Sequence, residues 1–508
     1  MLSLLAQAGT FRSPTIDLHA FGPEIVLTVT IVVVLLVDLV FEERGRWATS
    51  SIAGIGLLAA LVPVLTLAVG GADRSMFDGA YVVDNFALVM KGLFLLSGYV
   101  TILMSSRYIA EGDYYEGEYY FMLLCSLLGM LVMGSARDLI SIFVALELLS
   151  IPAYLLAGWR KRDLRGNEAS LKYYLMGVFA AAVMLYGMSL IFGVTGSTIL
   201  TEIGASLDGG GAPAPIVVVG ILFIVVGFAF KVSAVPFHTW APDTYEGAPT
   251  PITAYLSVAS KAAGFVALLQ LVFIGFLGRS DVWGPLFWVL AAVTMTVGNL
   301  IALRQTNIVR MLAYSSVAQA GFMLAPFAVA GDLPFEVGGR AGPLSAIAPV
   351  VTYLVIYTAM NLGAFAVVIV VARKTRSGEL ASYGGLFEYA PGLAVLMTVF
   401  VFSLAGIPPL GGWLAKFVVF RAMLDAGTPA AIVLAVIAAV NSVISVFYYA
   451  SVAREMWMRP VPDGDRTPIR IPAGLGSALA LAAAFTLLFG VSNVATRFGD
   501  LAIFGFLP

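Results

Sequence analysis

Long apolar runs, separated by short polar connections, follow one another along the chain from near residue 24 to near residue 495. A helix needs about 20 predominantly apolar residues to cross a bilayer. By that measure the sequence predicts fourteen membrane spans, near residues 24–41, 51–70, 86–106, 118–135, 138–158, 170–193, 215–237, 251–276, 284–303, 307–330, 345–372, 391–424, 430–453 and 474–495. The pattern therefore predicts an all-α polytopic membrane protein.

Two of the predicted spans are interrupted. Pro236 breaks the seventh span just after Lys231, and the long twelfth span contains a glycine- and proline-rich break, GIPPLGG, just before Lys416. The two spans cross the membrane in opposite directions, and broken helices at corresponding places in two halves indicate an inverted repeat. We therefore predict two inverted repeats of five helices each within a single transmembrane domain, 1–508. The predicted parts are 1–106 (three N-terminal helices), 118–276 (spans 4–8), 284–453 (spans 9–13) and 474–508 (the C-terminal helix).

Composition narrows the class of protein further. The chain is 60% hydrophobic and 11% charged, which excludes a soluble globular class, and its net charge of −2 argues against a nucleic-acid partner. Two histidines and one cysteine cannot make a convincing zinc, haem or iron–sulfur site. No cofactor is therefore expected on this chain. We also see no signal peptide, because no basic segment precedes an apolar stretch.

Basic residues predict the orientation of the chain. Connections after odd-numbered spans carry sixteen lysines and arginines outside the apolar segments, against seven on the other side. Because cytoplasmic loops are enriched in basic residues, the odd-numbered connections are predicted to be cytoplasmic and both termini to lie outside.

Five of the seven lysines fall within apolar segments, whereas every arginine falls in a loop or at a helix end. Lysine can lose its charge on burial, but arginine stays charged. The five lysines are Lys91, Lys172, Lys231, Lys261 and Lys416. This distribution is what a proton-conducting path through the membrane requires.

A carboxylate, Glu147, is predicted to lie near the middle of the bilayer. It follows Asp138 by nine residues, or roughly 14 Å along a helix. Glu147 could be neutralised by a structural partner. The functional interpretation pairs it with Lys231, so that moving the glutamate changes how readily the lysine releases its proton.

Each of the other four lysines could be a proton-relay group or have only a structural role. Lys261 has no membrane interface within reach, which favours a relay role. Lys416 could also relay protons, or it could bind the carbonyls that the prolines leave free. Lys172 could equally be a relay group or snorkel to the cytoplasmic face. Lys91, near a helix start, is expected to snorkel.

Uncharged and weakly basic groups could extend the path. His238 follows the break in the seventh span and could shuttle protons near neutral pH. Alternatively, it could be a buried histidine whose ring nitrogens are hydrogen-bonded within the protein core. Tyr353 and Tyr357 form a polar stripe with Asn361 at i, i+4 and i+8, and Gln319 on the preceding span could extend it. Each of these side chains could instead only form hydrogen bonds that hold neighbouring helices together.

Four motifs carry a resemblance to a known family: FAFKVSAVPFHTWAPDTYEGAPTPITAYLSVASKAAGF, DLISIFVALELLSIPAYLLAG, RMLAYSSVAQAGFML and SLAGIPPLGGWLAKF. The chain resembles, over its whole length, the antiporter-like membrane subunits of respiratory complex I and of Mrp-type sodium/proton antiporters. Within that family the sequence is most similar to the N-type branch, because it has a lysine at position 416 and lacks a long carboxy-terminal extension.

The resemblance implies a proton-translocating subunit of a bacterial NADH-quinone oxidoreductase in the plasma membrane. It makes Glu147 and Lys231 a charge pair, Lys261 the central lysine and Lys416 the exit-side residue. It also implies neighbouring membrane subunits, with NADH, FMN, iron–sulfur clusters and quinone held by other subunits. Val309 and Gln319 stand where the family usually has a lysine and a histidine, so Gln319, the tyrosines and water would carry the proton there.

Two other functions remain open at this point. The same motifs occur in Mrp-type antiporters, which have no redox partner. The chain could also be a structural membrane subunit whose buried lysines serve only assembly.

Overall fold

The computed structural model describes residues 16–41, 46–71, 73–112, 116–208, 214–334 and 342–505. The first half of the chain contains the helices α1 (Gly22–Phe41), α2 (Arg46–Gly70), α3 (Asn85–Glu111), α4 (Glu116–Ser135), α5 (Leu139–Ala157), α6 (Leu164–Thr195), α7 (Leu200–Leu207), α8 (Pro215–Lys231), α9 (Trp240–Gly247) and α10 (Thr250–Gly275). The second half contains α11 (Ser280–Ala302), α12 (Ile308–Val329), α13 (Ile347–Thr375), a single turn at Leu386–Tyr389, α14 (Pro391–Ala405), α15 (Gly411–Ala426), α16 (Pro429–Met458), α17 (Ala473–Val491) and α18 (Val494–Leu501).

Strands and 3₁₀ turns are confined to connections in the part of the chain that the structure describes. Strands β1 (Arg74–Met76) and β2 (Tyr81–Val83) pair antiparallel before α3. The 3₁₀ turns are Phe77–Gly79, Leu277–Arg279, Ala330–Asp332, Gly342–Ala346 and Leu380–Tyr383.

The helices match the predicted membrane spans. Twelve described segments are long and apolar enough to cross a membrane, and α8 and α14 are shorter apolar helices. Each predicted span corresponds to one long helix, except the seventh, which is the short α8, and the twelfth, which is divided into α14 and α15. The prediction of an all-α polytopic membrane protein is confirmed. The division into two inverted repeats stays a prediction.

Some of the predicted features lie outside the described residues. Among the basic residues that predict the orientation, these are Arg12, Arg44 and Arg340. The ends of the predicted domain, 1–15 and 506–508, also lie outside them.

The break after α8 is stabilised by hydrogen bonds to the helix end. Ser233 adopts a left-handed conformation with φ +61°, and the Ala234 amide donates to the Ala229 carbonyl at 2.8 Å. The Trp240 indole N–H donates to the Phe230 carbonyl at 3.0 Å. These bonds satisfy carbonyls that an interrupted helix would otherwise leave unpaired at membrane depth. The break places Lys231 at the last residue of α8.

The break between α14 and α15 is also stabilised by its local backbone conformation and hydrogen bonds. Gly406 adopts φ +89°, a conformation that glycine reaches without steric cost. The Gly412 amide, at the start of α15, donates to the Ser403 hydroxyl at 3.0 Å. Two half-helices therefore meet within the membrane domain, with Lys416 on the second turn of α15.

Two helices lie at the centre of the domain. The most apolar stretches of α10 and α13 are buried along their whole length. Helix α10 widens into a π-helical turn at Leu256–Ser260, directly before Lys261. Such turns inside α-helices are frequent at functional sites.

The expectation that Lys91 snorkels is wrong. Its side chain is fully buried, its Nζ lies 2.9 Å from the Glu24 carboxylate, and it donates to the Tyr81 hydroxyl at 3.0 Å. The snorkelling argument considers only the depth of the lysine on its own helix. Here a carboxylate on α1 pairs with the lysine inside the protein.

Candidate functional site

Lys231 is held by neutral hydroxyl groups. Its side chain is 3% exposed, and its Nζ donates to the Ser150 hydroxyl at 2.9 Å and to the Tyr173 hydroxyl at 3.2 Å. The ammonium also lies 5.7 Å from the centre of the Tyr173 ring, within the range of a cation–π contact. Sequence reasoning missed both partners, because serine and tyrosine are common in membrane helices.

Glu147 lies near Lys231 but not in contact with it. The two charges interact electrostatically, yet they form no ion pair within 4 Å. Glu147 is half-buried on α5, one turn before Ser150, so the two side chains share a face of the helix. Ser150 therefore connects the helix of the carboxylate to the ammonium.

An aromatic cluster fixes the Tyr173 hydroxyl. The Tyr173 ring stacks on Trp240 at 4.3 Å with an interplanar angle of 11°, and Tyr154 meets its edge at 4.6 Å. On the other side, α10 approaches Lys231 at a glycine: a Cβ at Gly264 would lie 3.2 Å from the lysine Cγ. Lys231 is thus confined between α5, α6 and the central helix.

Lys261 binds a serine on α12. Its Nζ donates to the Ser316 carbonyl at 2.7 Å and to the Ser316 hydroxyl at 2.5 Å, and the side chain is 2% exposed. Within the described residues Lys261 forms no ion pair with a carboxylate. Like Lys231, it rests on uncharged acceptors.

Gln319 occupies the middle of the polar row. Its Nε2 donates to the Leu404 carbonyl at 3.0 Å and to the Tyr449 hydroxyl at 3.2 Å, and its Oε1 accepts from the Tyr353 hydroxyl. Tyr449 also shares a 2.5 Å hydrogen bond with the Ser315 hydroxyl. A network of uncharged groups therefore begins beside Ser316, the partner of Lys261.

The tyrosine stripe on α13 joins this network only in part. Tyr353 is bonded to Gln319, whereas the buried Tyr357 hydroxyl has no hydrogen-bond partner among the residues described. Asn361 donates to the Ser257 hydroxyl at 2.8 Å, which ties α13 to the π-helical turn of α10.

Lys416 lies at the far end of the row. It is 4% exposed, and its Nζ donates to the Ala405 carbonyl at 2.7 Å and to the Ser445 hydroxyl at 3.5 Å. Ser445 and Tyr449 stand at i and i+4 on α16, so one helix face runs from Lys416 to Gln319. The bond to Ala405 is the carbonyl contact that the alternative interpretation of Lys416 predicts.

Lys172 lies apart from the buried row. Its side chain is 43% exposed and forms ion pairs with Glu168 at 2.6 Å and Asp243 at 2.7 Å. Asp243 also pairs with Arg310 at 3.0 Å. Burial raises the pKa of Asp243, but hydrogen bonds from the two basic side chains outweigh it and hold that pKa below its usual value. This network connects α6, α9 and α12.

His238 also stands outside the hydrogen-bonded row. It is 9% exposed, its ring centre lies 6.4 Å from that of Tyr314, and its Nδ1 has no partner within the described part of the chain. The described residues contain no group of three or more His, Cys, Asp or Glu side chains that could hold a metal ion.

Comparison with known proteins identifies the family. The family described as "NADH:quinone oxidoreductase/Mrp antiporter, TM" matches residues 136–444, which is more than half of the chain and includes every lysine of the buried row. The chain belongs to this family.

Individual relatives agree with the N-type branch. NADH-quinone oxidoreductase subunit N of Trichlorobacter lovleyi is 40% identical over 479 residues, which cover 94% of this chain and 95% of the relative. A chain of respiratory complex I from Thermus thermophilus is 31% identical, with a TM-score of 0.75 over 92% of this chain and 97% of the other. A chain of the Mrp complex from Dietzia sp. DQ12-45-1b shares the fold, with a TM-score of 0.80 over 96% and 97% of the two chains at 20% identity. The protein is an antiporter-like, N-type membrane subunit.

Proposed function

We propose that this subunit translocates protons across the bacterial plasma membrane as part of an NADH-quinone oxidoreductase. In this proposal NADH, FMN, iron–sulfur clusters and quinone are bound by other subunits, and this chain contacts neighbouring membrane subunits and lipid. The odd-numbered connections are cytoplasmic and both termini lie outside. The names of the relatives and the excess of basic residues on one side support this assignment.

One observation carries the proposal: three lysines lie buried in a row, each bound to hydroxyl or carbonyl oxygens. An ammonium group at this depth is expensive unless it serves a path for ions or protons. Neutral acceptors stabilise the charged lysine less than a contacting carboxylate would. Each lysine can therefore gain and lose a proton without breaking an ion pair.

Glu147 sets the energy of the first step. At an effective dielectric constant of about 20, two opposite charges attract by roughly 4 kcal/mol at 4 Å and roughly 2 kcal/mol at 8 Å. Moving one charge against 100 mV costs about 2.3 kcal/mol. Moving Glu147 between contact and a separation of about 8 Å therefore changes the attraction by roughly 2 kcal/mol, which is close to that cost and favours proton transfer from Lys231 toward Lys261.

The second half of the path runs through uncharged groups. Ser315 and Tyr449 can both donate and accept, so they can pass a proton from the side of Lys261. The Leu404 and Ala405 carbonyls can only accept, which leaves Ser445 as the hydroxyl that connects Tyr449 to Lys416. Helix α16 thus supplies the link for which the sequence offered no titratable group.

The test is proton pumping by the purified complex in proteoliposomes, followed with a pH-sensitive dye during NADH oxidation. Lys231→Ala and Lys261→Ala should abolish or strongly reduce pumping in complexes that assemble normally. Full pumping by an assembled Lys231→Ala complex would contradict the proposal. Normal assembly together with lost pumping would exclude a purely structural role for these lysines.

A second candidate function is favoured by the family description, which also covers Mrp antiporters. In that case the chain exchanges sodium for protons without a redox partner. Purification of the tagged protein in mild detergent separates the two. Co-purifying NADH:quinone reductase activity, flavin and iron–sulfur absorbance support the oxidoreductase, whereas sodium-dependent exchange without them supports the antiporter.

A further inference from the structure

A second acid–lysine pair is buried in the three N-terminal helices, outside the row described above. Glu24 lies in the first turn of α1 and Lys91 in the second turn of α3. Their side chains are 2% and 0% exposed, and Lys91 Nζ lies 2.9 Å from Glu24 Oε1. Unlike Glu147 and Lys231, these two groups are in direct contact.

The surroundings of this pair are polar and incompletely bonded. Lys91 donates to the Tyr81 hydroxyl at 3.0 Å and lies 5.1 Å from the centre of that ring. The Tyr81 hydroxyl in turn interacts with the Glu24 carboxylate and with the Ser135 hydroxyl, while Glu24 Oε2 makes no hydrogen bond of good geometry within the described residues. Buried polar atoms are rarely left unpaired unless a water molecule, an exchangeable proton or a ligand serves them.

The neighbouring charges do not supply these missing bonds. The nearby buried Asp84 accepts from Arg137 at 2.9 Å, from the Ala87 amide at 2.8 Å and from the Gly505 amide at 2.9 Å. Both of its carboxylate oxygens are therefore satisfied. Asp84 lies directly before α3 and Arg137 just after α4, so this second buried pair, whose carboxylate is fully bonded, serves as a control close to the first.

A glutamine connects this region to the central helix. Gln270 of α10 donates to the Met133 and Gly134 carbonyls at 3.0 Å each, and its Oε1 is buried without a partner in the part of the chain described. Gln270 follows Lys261 by nine residues, or about 14 Å along the helix. Gly134 also borders the aliphatic part of Lys91, since a Cβ on this glycine would lie 3.7 Å from the lysine Cγ.

We propose that Glu24, Lys91 and Tyr81 form an outward-facing proton-exchange site, reached from Lys261 by way of Gln270. The inference rests on the proposed proton translocation. In the predicted orientation both α1 and α3 begin at the outer face, which places Glu24 near that surface. Lys91 transfers its proton to the Glu24 carboxylate, which leaves a neutral amine and a neutral carboxylic acid. Glu24 then releases the proton outward, and Lys91 is reprotonated from inside through the Tyr81 hydroxyl.

The test is the double variant Glu24→Gln/Lys91→Met in the complete complex, because it removes both charges and leaves neither buried alone. Assembly and NADH:quinone activity should be retained, while protons pumped per NADH should fall below the wild-type ratio, since this outward exchange site is lost. The control Asp84→Asn/Arg137→Met should keep the wild-type ratio in the complexes that assemble.

Two comparisons make the outcome decisive. A wild-type pumping ratio in the Glu24→Gln/Lys91→Met complex, alongside failed pumping by Lys231→Ala, overturns this inference and leaves the proposed function intact. Full pumping by both variants overturns the proposed function itself. As a direct readout, infrared difference spectra recorded during turnover should show a protonated-carboxyl band that Glu24→Gln removes; a band unchanged in that variant counts against the site.

Discussion

The hydroxyl groups around Lys231 can be tested without removing either charge of the pair. Ser150→Ala/Tyr173→Phe deletes both hydrogen bonds that hold the ammonium, at 2.9 and 3.2 Å. A hydrogen bond to a charged group contributes about 1.5–3 kcal/mol. We expect the ammonium that loses both bonds to turn toward Glu147, because that carboxylate shares the helix face of Ser150.

The size of the effect follows from the attraction between the two charges. A contact at 4 Å is favoured over a separation of about 8 Å by roughly 2 kcal/mol at an effective dielectric constant of about 20. If proton release from Lys231 limits pumping, a barrier higher by about 2 kcal/mol slows it about 30-fold. The double variant should therefore pump poorly, even though Glu147 and Lys231 are both present.

The assay is dye-monitored pumping in proteoliposomes at matched rates of NADH oxidation. The matched control is Ser150→Thr, which keeps a hydroxyl beside Lys231 and leaves both Glu147 and Lys231 in place; it should pump at the wild-type rate. Wild-type pumping by Ser150→Ala/Tyr173→Phe would refute the reasoning, since it would show that the two hydroxyls do not keep the charges apart.

Substitutions at three further positions test other parts of the path. Gln319→Leu removes the bonds to Leu404 and Tyr449, so assembled complexes should lose pumping but keep electron transfer; Gln319→His should preserve it. Gly406→Ala should lower the free energy of unfolding by about 1–3 kcal/mol, measured by thermal melting. The new Cβ would lie 2.8 Å from Lys416 Cδ, and alanine would have to adopt a φ of +89°. Lys172→Ala should leave pumping nearly unchanged in the same vesicle assay, since its ion pairs with Glu168 and Asp243 are partly exposed to solvent, which weakens such pairs. A severe pumping defect there would show that the surface network belongs to the proton path.

Spans and breaks could be predicted from the sequence because their signals are local. Twenty apolar residues predict a membrane helix wherever they occur, and prolines interrupt one by removing its hydrogen bonds. The buried lysines stood out for the same reason, since an ammonium within an apolar run is unusual in itself. Lys231, Lys261 and Lys416 were therefore visible without a structure.

Partners contributed by other helices could not be predicted in this way. Ser150, Tyr173 and Tyr449 bind the row across 58 to 134 residues of sequence, and nothing near them marks those pairings. Lys91 shows the same limit, because its partner Glu24 belongs to a different helix. A carboxylate in the first turn of an otherwise apolar span was the one available signal.

The separation of Glu147 from Lys231 is what allows the charge pair to work at membrane energies. Breaking a buried ion pair costs about 3–5 kcal/mol, which exceeds the 2.3 kcal/mol that one charge gains or loses per 100 mV. Lys231 makes two hydrogen bonds of about 1.5–3 kcal/mol each while it is charged, and the neutral amine can still donate to the same hydroxyls, so releasing its proton costs only a part of that sum. Ser150 and Tyr173 thus keep Lys231 charged and poised without binding its proton too tightly. Lys91 is in direct contact with Glu24, so in the proposed mechanism it transfers its proton to that partner, and the two pairs exchange protons by different means.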